Sequence, residues 1–176
     1  MKTGPDVITA HHEAAHAVVL YRTAGHAGGP LSIVPKPGIL GGAQDDVSDS
    51  YNSDHAEGSI LNCYAGGHAQ RLIDPGTGAD GCETDDAIAE EWLTDYGWQQ
   101  REQELREQSL ALTRRHWDEI VAVATELLRV RALEDTEVEI IADAAAGDPD
   151  ADLAQYRRFG DHLESWRTAY IAEEHE

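Results

Sequence analysis

Two histidines and a glutamate near the start of the chain form its clearest chemical pattern, His12-Glu13-Ala14-Ala15-His16. Histidines four residues apart lie one above the other on a helix face, so both imidazoles can reach one tetrahedral ion. Glu13 directly follows His12 on the same helix. From this position its carboxylate can take a proton from a water that the metal activates. The pattern predicts a catalytic zinc site with His12 and His16 as ligands and Glu13 as general base.

The same five residues also occur in unrelated proteins as two surface histidines with an incidental glutamate. Apolar residues surround the pattern here, because Ile8 precedes it and Val18-Val19-Leu20 follows it. This neighbourhood argues against a freely solvated helix face, so we prefer the metal-site interpretation.

A catalytic zinc ion needs a third protein ligand, which leaves the fourth position for water or substrate. The chain has no His-x-x-Gly-x-x-His continuation after the pattern, so this ligand must come from a distant segment. Carboxylate, thiolate and imidazole groups all suit zinc, and the residues alone do not choose among them. The candidates are His68, Gln70, Cys82, Glu83, Asp85 and Asp86.

Hydrophobic periodicity predicts a mainly helical protein with one small β element near residues 31–35. The predicted helices run from about Asp6 to Thr23, from Ser53 or Asp54 to about Ile73, from near Thr84 through Tyr96, from about Trp98 to Val130, from Asp135 or Thr136 through Ile141, and from about Leu153 to Tyr170. Leu31-Ser32-Ile33-Val34-Pro35 alternates like a short strand, and Pro35 confines it to a sheet edge or its end. Residues 41–54 are polar and predict a loop.

Composition excludes several classes of protein. The 176 residues fit one domain, and 34 acidic residues against 13 basic ones give a formal net charge of −21. Such a charge repels phosphate backbones, so nucleic acid is not an expected partner. No apolar run is long enough to span a membrane, and no signal peptide precedes the first helix, so we expect a cytoplasmic protein without a membrane partner. The two cysteines suit a reducing compartment.

Several segments resemble, in order, the peptidase domain of the FtsH-type ATP-dependent zinc proteases. HHEAAHAVV resembles the zinc helix of that family, LSIVPKPGILGGA the following strand and loop, LNCYAGGHAQRLI the next core helix, and GCETDDAIAEEW the segment that delivers the third ligand. LLRVRALEDTEVEIIAD is similar to the closing helices of the domain. The resemblance, which covers roughly residues 7–145, implies a compact helical zinc-metallopeptidase domain over residues 1–147. Residues 148–176 lie beyond the resemblance, and their apolar spacing predicts an amphipathic helix that packs on this domain or extends it.

Position by position, the resemblance implies His12 and His16 as ligands, Glu13 as base and Asp85 as third ligand. Asp86 remains the alternative to Asp85, because the alignment of this segment could shift by one residue. The family's ATPase module is not expected, since the chain contains no Gly-x-x-x-x-Gly-Lys-Ser/Thr loop. His11 is expected at the surface, and His68 as a hydrogen-bonded core residue.

These observations predict an ATP-independent zinc metalloendopeptidase that hydrolyses a peptide or an unfolded protein segment. One alternative is a catalytically silent zinc-binding module of the same fold, which binds a peptide or protein partner. Another is a protease directed at a single cellular protein. A homo-oligomer or a partner protein that delivers substrates remains open. The strand near Leu31, if exposed, would hold a substrate backbone as an added strand.

Overall fold

The computed structural model describes residues 4–34, 53–76, 81–160 and 162–173. The elements in these ranges are α1 (Pro5–Ala24), β1 (Leu31–Ser32), α2 (Ser53–Ile73), α3 (Glu83–Asp95), a 3₁₀ turn (Gln99–Arg101), α4 (Glu102–Arg115), α5 (Trp117–Val130), β2 (Ala132–Leu133), α6 (Asp135–Ala145), α7 (Leu153–Phe159) and α8 (Leu163–Glu173). The prediction of a mainly helical protein with a small β element is therefore confirmed. Within the described ranges, no helix combines the length and the apolar character needed to cross a bilayer.

Helix α1 is the central element of the fold. Pro5 opens its first turn, and Gly25 ends it with φ 84° and an N–H donated to the Tyr21 carbonyl. Every residue from Ala10 to Leu20 is buried, because α2 packs on one side of α1 and α5 on another. A helix that is covered all round is normally apolar, so the polar side chains within this stretch need a specific reason to be there.

Helices α2, α3 and α4 form a second layer with a core of their own. Six buried residues make up this core: Ile60, Leu61, Tyr64, Ala89, Leu93 and Leu105. The packing of α2 on α1 and of α3 on α2 brings the start of α3 towards the middle of α1.

The predicted single helix over 98–130 is wrong. A 3₁₀ turn comes first, and His116, with φ −101° and ψ 22°, separates α4 from α5. The side chain of His116 contacts Glu119 Oε1 at 2.8 Å in the first turn of α5. The break lets α4 pack on α2 while α5 packs on α1, which one straight helix could not do.

The small sheet joins two distant parts of the chain. Strand β1 pairs antiparallel with β2, with Leu31 opposite Leu133 and Ser32 opposite Ala132. Residues 31–34 are all buried, so the condition for adding a substrate strand there, an exposed strand, is not met. Pro35 and the predicted loop up to residue 52 lie outside the described residues.

The C-terminal segment folds as two helices, α7 and α8, where one amphipathic helix was predicted. Gly160 follows directly after α7. A side chain at this position would collide with Leu163, because a methyl group on Gly160 would lie 2.6 Å from the Leu163 side chain. Arg167 of α8 donates to the Ala132 carbonyl of β2 at 2.9 Å and also pairs with the buried Glu137 of α6. These contacts hold α8 against the sheet and α6.

Candidate metal centre

Three side chains that the sequence analysis singled out converge between α1 and α3. His12 and His16 come from α1, and Asp85 comes from the first turn of α3. Their donor atoms are 3.0 Å apart from Nε2 to Nε2, 3.2 Å from His12 Nε2 to Asp85 Oδ2, and 3.4 Å from His16 Nε2 to Asp85 Oδ2. Zinc–ligand distances of about 2.0–2.1 Å give a tetrahedron whose edges are about 3.3 Å. The three donors therefore have the spacing of one face of such a tetrahedron, and the group could hold a metal ion.

The tautomer of His16 is set by the backbone of α2. Its Nδ1 lies 2.8 Å from the Asn62 carbonyl oxygen, which can only accept a hydrogen bond. In the neutral ring Nδ1 therefore carries the hydrogen, and the lone pair of Nε2 points at His12 and Asp85. This contact to the second ring nitrogen is the one that orients metal-binding histidines in general.

His12 has a side-chain partner in the equivalent position. Its Nδ1 lies 2.9 Å from the amide nitrogen of Gln70, and Cys82 Sγ donates to Gln70 Oε1 at 3.5 Å. A half-turn of the amide exchanges its oxygen and nitrogen, so Gln70 can also accept the hydrogen that Nδ1 carries when Nε2 binds a cation. Gln70 thus links a histidine of α1 to the residue that precedes α3.

Gly66 lets α2 pass directly beside the donor atoms. A methyl group built on Gly66 would lie 2.5 Å from His16 Nε2 and 2.7 Å from His12 Nε2. These distances are far inside van der Waals contact, so the site has this shape only because position 66 has no side chain. The sequence carried a signal for this role, because two adjacent glycines in the middle of a helix are unfavourable and need a structural reason.

The electrostatics of the site favour a cation where the donors meet. Burial would raise the pKa of the Asp85 carboxyl, but contacts with His12 and His16 hold it well below its ordinary value. Burial opposes protonation of His16, yet the hydrogen bond and charge of Asp85 raise the pKa of His16 to about 9. Burial lowers the pKa of His12. Two imidazole lone pairs and a carboxylate facing one point repel one another unless a proton or a metal ion lies between them.

Glu13 is buried beside the donors, with 3% of its surface exposed. Burial raises the pKa of the Glu13 carboxyl to about 7; the charge of His16 lowers this pKa and the charge of Asp85 raises it. Among the described residues, no hydrogen bond or ion pair joins this carboxylate to a partner. Buried carboxylates with a structural role are normally paired with a donor or a cation, so Glu13 is a candidate for a catalytic role.

The other candidate ligands have different partners. Asp86 pairs with Arg106 at 3.1 Å, and Glu83 accepts from the Gly81 N–H at 2.9 Å, so both carboxylates are engaged elsewhere. Cys82 contacts Gln70. His68 is buried and hydrogen-bonded, as predicted, with Nε2 3.0 Å from the Arg106 carbonyl.

His11 contradicts its predicted surface position. It is 6% exposed, its Nδ1 lies 2.8 Å from the Val7 carbonyl, and its ring stacks on Trp117 with centroids 5.9 Å apart. The reason is that α5 covers the side of α1 that carries His11, which the periodicity of α1 alone does not reveal.

In comparisons with known proteins, no protein-family model matches the chain, and no curated protein matches it at a significant level. The similarity to FtsH-type peptidase domains therefore stays a prediction from the residues.

Proposed function

We propose that the chain is a zinc metalloendopeptidase, with His12, His16 and Asp85 as ligands and Glu13 as general base. The observation that carries the proposal is the convergence of three donor atoms at tetrahedral spacing next to the buried Glu13 carboxylate, which has no hydrogen bond or ion pair within the described residues. Two imidazoles and one carboxylate form the donor set of known catalytic zinc sites, which keep a fourth position for water or substrate. The space that a methyl group on Gly66 would fill supports the same conclusion.

The chemistry divides between the ion and Glu13. A zinc ion supplies Lewis acidity, which polarises a carbonyl and lowers the pKa of water to about 7. Glu13 takes a proton from the attacking water onto its carboxylate and delivers that proton to the nitrogen of the leaving amine. Burial raises the pKa of the Glu13 carboxyl to about 7, which suits a group that takes up a proton and releases it again near neutral pH. No step needs a nucleotide.

A peptide is the substrate that this set of residues suits best. The order of matching segments around the site resembles a peptidase domain, and an amide is the bond whose nitrogen needs the proton that Glu13 carries. We expect the substrate to be an extended peptide or an unfolded protein segment.

The test compares purified zinc-loaded protein with Glu13→Gln and with Glu107→Gln, which removes an exposed carboxylate of α4. A pool of peptides and a denatured protein serve as substrates, with products identified by mass spectrometry and zinc measured in each sample. We expect wild type and Glu107→Gln to cleave at equal rates, and Glu13→Gln to retain zinc while its rate falls by about 10²–10⁴-fold.

Full activity in Glu13→Gln would contradict the assigned mechanism. Wild-type protein that holds zinc in stoichiometric amount and cleaves nothing would favour the silent binding module instead.

A further inference from the structure

Arg71 is an exposed cation that a buried histidine orients. It lies in the last turn of α2, and its side chain runs back along the helix so that Nη2 is 3.1 Å from His68 Nδ1. His68 Nε2 lies 3.0 Å from the Arg106 carbonyl and must donate to it, which leaves Nδ1 as an acceptor for Arg71. Burial, aided by the charge of Arg71, lowers the pKa of His68 to about 4, so the ring that holds the guanidinium is neutral.

The contact with His68 therefore positions Arg71 without neutralising its charge. The chain has 34 acidic residues for 13 basic ones, so carboxylates are plentiful as partners for arginine. Arg106, for example, pairs with both Asp86 and Glu102. Among the described residues, no carboxylate lies within ion-pair distance of Arg71. His68 occupies one of the five guanidinium N–H groups, so a bidentate pair remains for an external anion.

Two adjacent glycines place this cation relative to the metal centre. A methyl group on Gly66 would lie 2.5 Å from His16 Nε2, and one on Gly67 would lie 3.4 Å from Arg71 Nη2. These two distances, the two Cα–Cβ bonds and the separation of about 3.8 Å between neighbouring Cα atoms together set an upper limit. The guanidinium therefore lies within about 13 Å of His16 Nε2. Extended peptide spans about 3.3–3.6 Å per residue, so at most about four residues bridge this distance.

We propose that Arg71 binds a carboxylate of the substrate, up to about four residues from the scissile bond. The proposal rests on the proposed peptidase function and specifies the substrate as a peptide with a negative charge at this position. The carboxylate can belong to the C-terminus of the substrate or to an aspartate or glutamate side chain, and both have the planar geometry that a guanidinium pairs with. Because the net charge of the protein is strongly negative, a cation near the site that has no carboxylate partner within the described residues would favour an anionic group at short range.

The test uses peptidyl hydroxamates, because a hydroxamate binds a site metal whether or not the protein cleaves peptides. The metal-binding group is followed by two, three or four alanines, and each compound is made with a free C-terminal carboxylate or with an amide. A third series ends in an amide and carries glutamate as its last residue. Affinities are measured by calorimetry with zinc-loaded wild type, Arg71→Gln and Arg115→Gln. Arg115 is an exposed arginine of α4 without an ion pair in the described residues, so this control makes the same change in net charge.

We expect one length of carboxylate or glutamate compound to bind wild type about tenfold more tightly than its neutral counterpart. Arg71→Gln should abolish this preference without changing the affinity of the amides, and Arg115→Gln should keep it. Preference for the free terminus or for the glutamate series identifies the source of the carboxylate.

Equal affinities for charged and neutral compounds in wild type would overturn the role of Arg71 and leave the metal centre intact. Failure of every hydroxamate to bind zinc-loaded protein would contradict the proposed peptidase site itself, and the inference about Arg71 with it.

Discussion

At the scale of single residues, the proposed metal centre depends on the absence of a side chain at Gly66. We expect Gly66→Ala to weaken zinc binding by at least about 100-fold, because its methyl group would occupy space within 2.7 Å of both histidine donor atoms. Gly58→Ala in the same helix is the matched control, since the nearest atom to its methyl group would be Thr23 Oγ1 at 4.0 Å. Both changes raise helix propensity equally. Competition with a metal-binding dye measures the zinc affinity, and equal affinities for the two variants would refute the close approach of α2.

Gln70 is the second residue that supports the proposed site, because its side chain contacts His12 Nδ1. Gln70→Leu should weaken zinc binding by about 10–100-fold, because the hydrogen on Nδ1 of the coordinated ring would lose its acceptor. Gln70→Glu keeps an acceptor oxygen and should retain the affinity. The visible spectrum of the cobalt-substituted protein reports the ligand geometry in both variants. An affinity and a spectrum unchanged in Gln70→Leu would show that the contact does not orient His12.

The sequence predicts the proposed metal ligands better than it predicts the residues that position them. Glu13 and the two histidines follow from spacing on one helix, and Asp85 followed from the resemblance, because the residues alone left six candidates open. Gly66 and Gln70 were missed because their roles depend on how α2 packs on α1. The two adjacent glycines of α2 signal that a structural reason exists, but they do not say which side chains lie beside them. The burial of His11 under α5 escaped for the same reason.

At the scale of elements, the C-terminal helices are held by a buried charge. Glu137 of α6 is fully buried and pairs with Arg157 of α7 and Arg167 of α8. Arg167 also reaches the Ala132 carbonyl, so it joins α8 to the small sheet. Removing one partner of a buried ion pair leaves the remaining charge partly uncompensated, and this is strongly destabilising.

We therefore expect Arg167→Leu to lower the free energy of unfolding by about 3–5 kcal/mol. Arg158→Leu provides the control in α7, because Arg158 is exposed and its ion pair with Asp152 is long, at 4.0 Å. It should change stability by less than about 0.5 kcal/mol. Urea unfolding followed by circular dichroism measures both. Equal losses in the two variants would show that the buried pair contributes no more than a surface one.

The elements themselves differ in how far local sequence determines them. Helix α1 was predicted nearly to its ends, since Pro5 and Gly25 are local signals that act in the helix itself. The break at His116 was missed because apolar residues continue at helical spacing on both sides, and only the separate packing of α4 and α5 requires it. Strand β2 was missed because two residues, Ala132 and Leu133, carry no periodicity; their pairing with β1 defines them.

At the scale of the whole molecule, the net charge of −21 should weaken the folded state through self-repulsion. Raising KCl from 0.1 M to 1 M shortens the screening length from about 10 Å to about 3 Å, so we expect the unfolding midpoint to rise by about 5 °C. Most of this rise should occur below about 0.5 M, where screening changes fastest, in calorimetric scans at constant zinc. A midpoint that stays constant or falls would show that the acidic surface is not a source of instability.

The central claim is a single zinc ion held by His12, His16 and Asp85. Crystals of the zinc-loaded protein, measured on both sides of the zinc absorption edge, test it directly. The expected anomalous map has one strong peak per chain, about 2.0–2.2 Å from His12 Nε2, His16 Nε2 and an oxygen of Asp85. A peak coordinated by Asp86 or Cys82 in place of Asp85, or the absence of any peak between α1 and α3, would contradict the proposed centre.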